Sequence, residues 1–404
     1  MRSQTTIILF IITSFFSVGQ ELLPIELDTT DRSERIAMQG SAFYLSSGIQ
    51  NGVAKRMVYG GTIDEETKLQ SLESHDELNR LGADVRVRVQ YYSKKRIIKD
   101  NDRMSWMIDA GFESHLAAQY SKETFGLLFF GNDHYRGQTA NLSNSFGQIQ
   151  SFYTIGGGIH DLKTKSFISL NALFPTNDVR FSIDRGNLYT SEIADTVNLL
   201  LDGSAKQSIS PAFFQGIGAA VNFDFNIPVS TQSGMTGFMS IKGRNLGAYY
   251  LNRTEEISSS ANTTITGYSI EDIISLSENS DDVLNDSLNV SRDTTSRWRL
   301  APGFIQVGEV VEKYTDKQLQ AFFGVRMYTN SVYRPLGYVG AHWSPVLAWS
   351  VGAQLSFGGY GNFRGGFYTG YSSDRFSLSV GTEDIIGLLA ENQYGQSALM
   401  RMSW

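Results

Sequence analysis

The chain has 404 residues, a formal net charge of -7, 39 glycines, 12% aromatic residues and 7 prolines. It contains no cysteine, which excludes disulfides, thiol catalysis and thiolate metal sites, and its negative charge argues against a nucleic-acid partner, which would require a basic face. Many glycines and aromatic residues with few prolines favour strands and turns over helices.

The first element, residues 1–19, has the pattern of a secretory signal peptide. Arg2 precedes an apolar core from Ile7 to Phe16, and the small residues Ser17 to Gly19 follow it. The core is shorter than the roughly 20 residues of a membrane-spanning helix, so we predict cleavage rather than an anchor. Residues 20–38 are predicted to form a plug or a periplasmic segment ahead of a barrel over residues 39–404.

Apolar and polar residues alternate along most of the remaining chain. In ADVRVRVQYY, Val85, Val87 and Val89 share one face, while Arg86 and Arg88 lie on the other. The stretches AVNFDFNI and WSVGAQLSF repeat this alternation. A period of two predicts strands with one apolar and one polar face. We count about 14 such strands, each near the roughly 9–11 residues that a tilted membrane strand needs.

Apolar and polar residues also alternate along the strands of soluble β-sandwiches and propellers. Other features must therefore distinguish a membrane barrel from a soluble protein. The polar faces carry full charges along many successive strands, as a lumen does. The apolar faces end in aromatic residues: Tyr91, Phe174, Phe357, Tyr371 and Trp404. The predicted class is therefore all-β, a transmembrane antiparallel β-barrel of about 14 strands with short helices in its loops. Its predicted location is the outer membrane of a Gram-negative bacterium.

Three long loops are predicted, over residues 50–82, 185–212 and 252–297. In the first, Thr62 with Glu65 forms a capping box and Gly82 supplies a C-terminal cap, which predicts a helix. The third contains a second capping box, Ser269 with Asp272, before a short amphipathic turn. Loops of this length suit the outer face, because periplasmic turns in such barrels are short.

Charges on the polar strand faces are predicted to meet in the lumen, because a charge facing the middle of the bilayer costs roughly 2–4 kcal/mol. One strand face carries Asp109, Glu113 and His115. These side chains could form a cluster for acid/base chemistry or metal binding, or they could form a hydrogen-bond network; we predict the network. Ser114 points away from His115, so they do not form a nucleophile and base. The lumenal candidates are Arg86, Arg88, Asp109, Glu113, His115, Asp224, Arg326, Arg364 and Arg401. We predict no catalytic residue, metal or cofactor.

The last stretch, SALMRMSW, places Met400, Met402 and Trp404 on one face of a final strand and Arg401 on the other. We predict that the first three contact lipid or its interface and that Arg401 faces the lumen. A final strand ending on an aromatic residue resembles the terminal signal read by the barrel-assembly machinery. An ordinary last strand that closes a soluble barrel is the alternative.

Five motifs carry a resemblance to a known family: VYGGTID (58–64), FGLLFFGN (125–132), RNLGAYYLN (244–252), TGYSIEDI (266–273) and GTEDIIGLL (381–389). With them the chain resembles the uncharacterised outer-membrane barrels of Bacteroidota that are grouped with long-chain fatty-acid transporter-like porins. The resemblance covers nearly the whole mature chain and implies a barrel of about 14 strands with a plugged lumen and no established catalytic residues. Tyr249 and Tyr250 stand where a Phe-Ile-like pair is expected.

Three functions remain open, because a fold does not determine a function. The first is a structural or accessory subunit of an envelope complex, with outer-membrane lipid, the barrel-assembly machinery and other envelope proteins as partners. The second is a channel or uptake barrel for small hydrophobic or amphipathic molecules, and the least favoured is an outer-membrane enzyme. A plug without a hydrophobic tunnel favours the first, and a tunnel to a lateral opening favours the second.

Overall fold

The computed structural model describes residues 35–97, 103–230, 236–266, 289–313, 318–329, 332–373 and 375–404. The strands are β1 (Arg35–Ser46), β2 (Leu78–Arg96), β3 (Met104–Ser121), β4 (Thr139–Asn141), β5 (Ser145–Asp161), β6 (Phe167–Thr190), β7 (Thr196–Ser208), β8 (Gly216–Ser230), β9 (Thr236–Thr266), β10 (Val290–Leu300), β11 (Phe304–Val310), β12 (Leu319–Tyr328), β13 (Arg334–Val346), β14 (Trp349–Gly359), β15 (Arg364–Ser372), β16 (Ser377–Thr382) and β17 (Gly395–Ser403). The helices are α1 (Asn51–Tyr59), α2 (Glu65–Glu73), α3 (Lys122–Phe130) and α4 (Ile385–Leu389).

The first strand closes the sheet into a barrel. β1 pairs antiparallel with β2 on one side and with β17 on the other, so that Ala37 lies opposite both Gln90 and Ser403. The closed wall has 14 strands, in the order β1, β2, β3, β5, β6, β8, β9 and β11 to β17. The predicted class, a transmembrane antiparallel β-barrel of about 14 strands with short helices in its loops, is confirmed. Closure pairs every wall strand on both sides and leaves no open edge in lipid.

The two faces of the wall differ as the alternation predicts. Val87 is 46% exposed on the outside, whereas Arg86 and Arg88 on either side of it are buried. Aromatic pairs lie on the wall near its ends, including Tyr91 with Trp106 at 5.3 Å between ring centroids. An apolar outer band that ends in aromatic rings is the pattern of a barrel in lipid. Among the described helices, none has the length and apolar character to cross a membrane.

The barrel has two distinguishable ends. β1 begins and β17 finishes at one, which we call the terminal end, and α1 to α4 lie in connections at the other, the helical end. Connections at the terminal end include the tight β5–β6 hairpin, in which the Asp161 amide donates to the Ser166 carbonyl at 2.8 Å. The predicted signal peptide, residues 20–34 and the capping box of Ser269 with Asp272 lie outside the described residues.

Three boundary predictions at the start of the chain were wrong. Residues 35–38, assigned to a segment ahead of the barrel, belong to β1. In the first long loop, α2 begins after Asp64, whose side chain accepts from the Thr67 amide at 2.8 Å, so Asp64 and not Thr62 is the N-cap. Asp caps a helix as well as Thr does, and sequence spacing alone did not separate them. α2 ends at Glu73, and Gly82 lies inside β2 rather than at a helix end.

The second and third predicted loops contain strands, which corrects their boundaries. β6 runs to Thr190, β7 covers much of 185–212, β9 continues to Thr266, and β10 starts at Val290. β6, β7, β9 and β10 pair in that order into what we call the extension sheet, which continues the wall past the helical end. Backbone pairing needs no apolar face, so segments rich in Ser, Thr and Asn form these strands once a neighbouring strand is present.

Three of the helices pack together at the helical end. Val53 of α1, Leu72 of α2 and Phe125 of α3 form one apolar cluster with Tyr120. His75 lies against this cluster, 4.3 Å from Phe125 between ring centroids, with Nδ1 2.6 Å from the Ser71 carbonyl. Burial lowers the pKa of His75 to about 4 because water no longer stabilises the charged ring. The imidazole is therefore neutral at pH 7 and packs with the apolar cluster of the three helices.

Candidate functional site

The densest group of buried charges lies inside the barrel on β2 and β3. Arg86 stands directly opposite Glu113 in the strand register and donates to its two oxygens at 2.8 and 2.6 Å. Asp84, two residues away on the same face, lies 3.4 Å from the Arg86 guanidinium. The pairing is a bidentate guanidinium–carboxylate contact, which is both strong and directional. This contact forms because Arg86 and Glu113 both point into the lumen from their strands and because the antiparallel register of β2 and β3 places them opposite each other.

A second ion pair continues this group toward the terminal end. Arg88 donates through Nε to Asp109 at 2.8 Å and through Nη2 to the other oxygen of the same carboxylate. Asn222 on β8 also donates to Asp109, at 3.4 Å. Asp224, farther along β8, accepts from Ser240 at 2.8 Å and lies 3.7 Å from Arg244. Charged groups on β2, β3, β8 and β9 thus compensate one another within the lumen.

Several contacts cross the lumen from β3 to distant strands. Asn245 of β9 donates to Glu113 at 2.6 Å, and a 2.9 Å hydrogen bond joins His115 Nε2 to the hydroxyl of Tyr360, which follows β14. The His115 ring stacks on Tyr328 of β12 at 5.1 Å. β12 and β14 lie on the far wall in the strand order. We call this group the lumen bridge, formed by Asp84, Arg86, Glu113, His115, Asn245, Tyr328 and Tyr360.

Asp109, Glu113 and His115, for which an acid/base or metal cluster was the alternative to the predicted hydrogen-bond network, each have a different partner. Asp109 pairs with Arg88, Glu113 pairs with Arg86, and His115 Nδ1 lies 3.1 Å from Asp84. In the described part of the chain no three His, Asp or Glu side chains are placed to hold a metal ion. The arrangement can link the walls of the barrel through hydrogen bonds and ion pairs, and its carboxylates already face guanidinium groups.

The remaining sequence-predicted residues lie elsewhere on the wall. Arg326 on β12 donates to Gln306 and lies over the Phe304 ring at 4.2 Å, and Arg364 on β15 donates to the Gly358 carbonyl at 3.1 Å. Arg401 is half-buried on β17, in register with Gln39 of β1 and Ser379 of β16. The structure brings Arg86, Arg88, Asp109, Glu113 and His115 together with Asp224 beyond them. Arg326, Arg364 and Arg401 are on other strands.

Sequence reasoning missed several members of the lumen bridge and also Asn222, which donates to Asp109. Asp84 and Asn222 share strand faces with Arg86 and Asp224, so alternation was a usable signal for both. Tyr360 follows the end of β14 and Asn245 lies in a positive-φ kink within β9, at φ 50°. No periodic pattern points to these two residues, because their partners are supplied by strands far away in the chain.

A small cavity lies among the charged side chains of β2, β3, β8 and β9. A cavity of about 20 Å³ remains beside Arg86, Arg88, Glu113, Asn222 and Arg244. That volume holds about one water molecule, whose hydrogen-bonding needs the polar lining meets. A single water between charged groups adds to the network, whereas a solute of several atoms does not fit there.

The Tyr360 ring reaches His115 by packing over a glycine. A Cβ built on Gly82 of β2 lies 2.0 Å from Tyr360 Cδ2, a distance that forces the ring to move. We expect Gly82→Ala to displace Tyr360, break its bond with His115 and destabilise the barrel by roughly 1–3 kcal/mol, the usual cost of overpacking. Urea unfolding in lipid vesicles measures the change.

The matched control is Gly365→Ala on β15, where a Cβ meets nothing closer than 3.8 Å. That variant should unfold at the urea concentration of the wild type or slightly above it, because alanine restricts the unfolded chain more than glycine does. Equal unfolding midpoints for Gly82→Ala and Gly365→Ala would contradict the proposed packing role of Gly82.

The final strand occupies the closing position in the wall. Trp404 and Ile36 exchange two backbone hydrogen bonds, of 3.0 and 2.9 Å, at the terminal end. Met400 and Trp404 are exposed on the outer face, and Met402 between them is half-buried. These positions agree with a lipid-facing row, and the role of the row as an assembly signal stays a prediction.

Comparisons with known proteins add little to this geometry. No family model matches the chain and no curated protein sequence matches it, so the family suggested by the motifs stays a prediction. Among solved structures, a mutant of the TodX monoaromatic hydrocarbon channel aligns with 9% identity and a TM-score of 0.39, over 92% of this chain and 90% of that one.

Two further solved structures give similar values. The Pseudomonas putida toluene transporter TodX aligns with 8% identity and a TM-score of 0.35, over 93% of this chain and 88% of that one. The translocator domain of the autotransporter NalP from Neisseria meningitidis aligns with 10% identity and a TM-score of 0.29, over 94% and 90%. Similarities this weak do not indicate a shared substrate, and the strand pairing alone establishes the barrel.

Proposed function

We propose that the protein is an outer-membrane barrel that serves as a structural or accessory subunit of an envelope complex. The observation that carries the proposal is the lumen bridge, which joins β3 to β9, β12 and the end of β14 through buried contacts. A solute passing this level must separate Arg86 from Glu113 and displace Tyr360. Parting buried charges without a new partner is costly, so the lumen bridge favours a structural role over permeation.

The extension sheet supports the same proposal. The part of β9 that pairs with β7, from Thr254 to Thr266, extends about 40 Å at 3.3 Å per residue. Along β10 the side chains from Ser291 to Ser296 are exposed. A long sheet that projects from the barrel presents a large polar surface for another envelope protein. Outer-membrane lipid around the wall and the assembly machinery at the final strand complete the proposed set of partners.

A channel for small hydrophobic or amphipathic molecules is the alternative. The bridge argues against it, because an apolar solute would desolvate Arg86, Asp84 and Glu113 without offering hydrogen bonds. An enzyme centred on His115 has weaker support still, since the described contacts of this residue are with Asp84, Tyr328 and Tyr360 and include no serine or threonine nucleophile.

Conductance in planar lipid bilayers tests the proposal. We expect the wild type to show no steady open state, and the double variant Arg86→Ala with Glu113→Ala to show a higher conductance because it removes an ion pair from the bridge. The two substitutions remove one positive and one negative charge, so the net charge of the lumen is unchanged.

The matched control is Arg185→Ala with Asp202→Ala, which removes an exposed 2.8 Å ion pair of the extension sheet. It should conduct like the wild type. A stable, large conductance in the wild type would reject the structural proposal and support the channel. Co-purification from native outer membrane then identifies the partner proteins and any bound lipid.

The proposed orientation has both termini in the periplasm and the helical end outside. Two hairpins flank the same strand, β6: residues 191–195 at the helical end, where Ile193 is 77% exposed, and residues 162–166 at the terminal end. A protease site inserted in the first hairpin should be cut in intact cells. The same site in the second should be cut only after the outer membrane is disrupted, and the reverse pattern would refute the orientation.

A further inference from the structure

Helix α4 exposes a surface made only of apolar side chains. Ile386 is 53% exposed and Leu389 is 83% exposed, and Ile385 and Leu388 between and beside them are 39% and 43% exposed. The stretch IIGLLA, residues 385–390, contains no polar side chain. A contiguous exposed apolar surface marks contact with a membrane or with another protein.

The strand that leads into α4 is too short to span the apolar layer of a bilayer. β16 has six residues, from Ser377 to Thr382, whereas a tilted membrane strand needs roughly 9–11. Ser377 lies opposite Ser403 of β17, beside Trp404 at the terminal end. The strand therefore starts at the level of Trp404 and stops well before it has crossed the layer.

The height of α4 along the barrel places it within the apolar band. Trp404 is an exposed aromatic residue, and such residues mark the edges of the band in membrane barrels. Ile385 lies eight residues beyond Ser377. An extended path at roughly 3.3 Å per residue and a tilt near 40° raises it by about 20 Å. The band is about 25 Å tall, so α4 begins below its far edge.

The outer wall next to α4 is apolar as well. Val380 of β16 lies opposite Met400 of β17, and these outward side chains are 40% and 37% exposed. α4 lies directly against the start of β17, because a Cβ built on Gly387 would be 2.0 Å from the Gly395 carbonyl oxygen. The apolar side chains of α4 therefore continue the lipid-facing row of the wall.

Several backbone groups of α4 are satisfied by buried side chains. A helix of five residues leaves most of its amide and carbonyl groups without partners inside the helix. The Gly387 amide donates to the Asp384 carboxylate at 2.8 Å. The side-chain amide of Asn51 donates to the carbonyls of Gly387 and Ala390 at 2.8 and 3.2 Å. Asn51 and Asp384 are buried, so protein groups replace water at these positions, as a segment in an apolar layer requires.

We infer that α4 lies in the membrane, where Ile385, Ile386, Leu388 and Leu389 contact the hydrocarbon chains of lipids at the helical end of the barrel. The helix completes the apolar band over β16, where the strand stops before the band does. A helix suits this place because it satisfies part of its own backbone away from water. The inference requires only a barrel in lipid and is independent of the proposed accessory role.

The experiment labels one position at a time, in a chain that has no native cysteine. Ile386→Cys and Leu389→Cys each carry a bimane fluorophore, and the full barrel is folded into phosphatidylcholine vesicles. Two controls are labelled in the same way: Val380→Cys on the lipid-facing wall, and Ile193→Cys, 77% exposed in the hairpin between β6 and β7. Quenching is measured with a spin label on the lipid acyl chains and with aqueous iodide.

We expect the labels at positions 386 and 389 to be quenched by the acyl-chain spin label as the label at 380 is, and to be protected from iodide. The label at 193 should show the opposite. Iodide quenching at 389 equal to that at 193, without lipid quenching, would overturn the inference because α4 would then lie in water. Protection from both quenchers only at a high protein-to-lipid ratio would also overturn it, by assigning α4 to a contact between copies.

An introduced charge gives a second readout that needs no label. Leu389→Arg should lower the folding equilibrium constant in vesicles about tenfold, because a charge on the lipid-facing side is unfavourable between the middle and the edge of the band. Urea titration measures this constant. Ile193→Arg is the matched control and should fold like the wild type. Equal constants for the two variants would contradict contact between α4 and lipid.

Discussion

Replacing Arg86 by methionine should lower the free energy of unfolding by about 3–5 kcal/mol, the cost of leaving buried charges without their partner. Arg86 is the shared cation of Glu113, at 2.6 Å, and of Asp84, at 3.4 Å. All three side chains are buried in the lumen, so water does not replace the lost contact. The methionine fills similar space, which keeps the cavity contribution small.

Urea unfolding in lipid vesicles, followed by tryptophan fluorescence, measures this loss. The double variant Arg86→Met with Glu113→Gln should recover part of it, because only Asp84 then remains without its cation. Arg185→Met, from the exposed pair with Asp202, should change the free energy of unfolding by no more than about 0.5 kcal/mol. A loss of the same size for Arg86→Met and Arg185→Met would show that the lumen bridge does not stabilise the barrel.

Replacing Trp404 by aspartate should prevent most of the protein from reaching its folded state in the membrane. The backbone of Trp404 completes the β17–β1 seam through its two hydrogen bonds with Ile36. Its side chain is 48% exposed on the outer face, in the row of Met400 and Met402. An aspartate there puts a charge on the lipid-facing side and removes the aromatic anchor. We expect degradation or accumulation in the periplasm.

The fraction of heat-modifiable, folded barrel in the outer membrane measures assembly. Trp404→Phe keeps an aromatic ring at the same place and should assemble normally. Arg401→Ser is the second control, because its side chain lies on the other face of β17 and its loss adds no charge to the lipid-facing row. Equal folded fractions for Trp404→Asp and the wild type would disprove the assembly signal while leaving the barrel fold intact.

Sequence alternation was sufficient for the architecture of the wall. Val87 and Arg86 occupy opposite faces in any extended strand. A closed barrel in lipid accounts for an apolar outer face, a charged inner face and the absence of unpaired sheet edges. The same reasoning placed the predicted charges on the lumenal side of their strands. Alternation depends only on residues that are neighbours in the chain, so it can be recognised from a single sequence.

The long loops show where local reasoning failed. Segments such as SSSANTTIT (258–266) have the composition of a loop, yet they form the end of β9. Their strand state depends on β7, which pairs with β9 from Thr196 opposite Thr266 to Ser208 opposite Thr254. The composition of a segment does not reveal which distant strand will pair with it. The extension sheet is therefore a property of the folded molecule.

The sequence by itself determined the fold class and the two faces of the strands that it predicted, because a period of two assigns every residue of a strand to one of two faces. Only the tertiary structure decided which charges meet. Arg86 reaches Glu113 because of the β2–β3 register, and His115 meets Tyr360 because the barrel closes. Register and closure are long-range properties, since each depends on how distant segments pair.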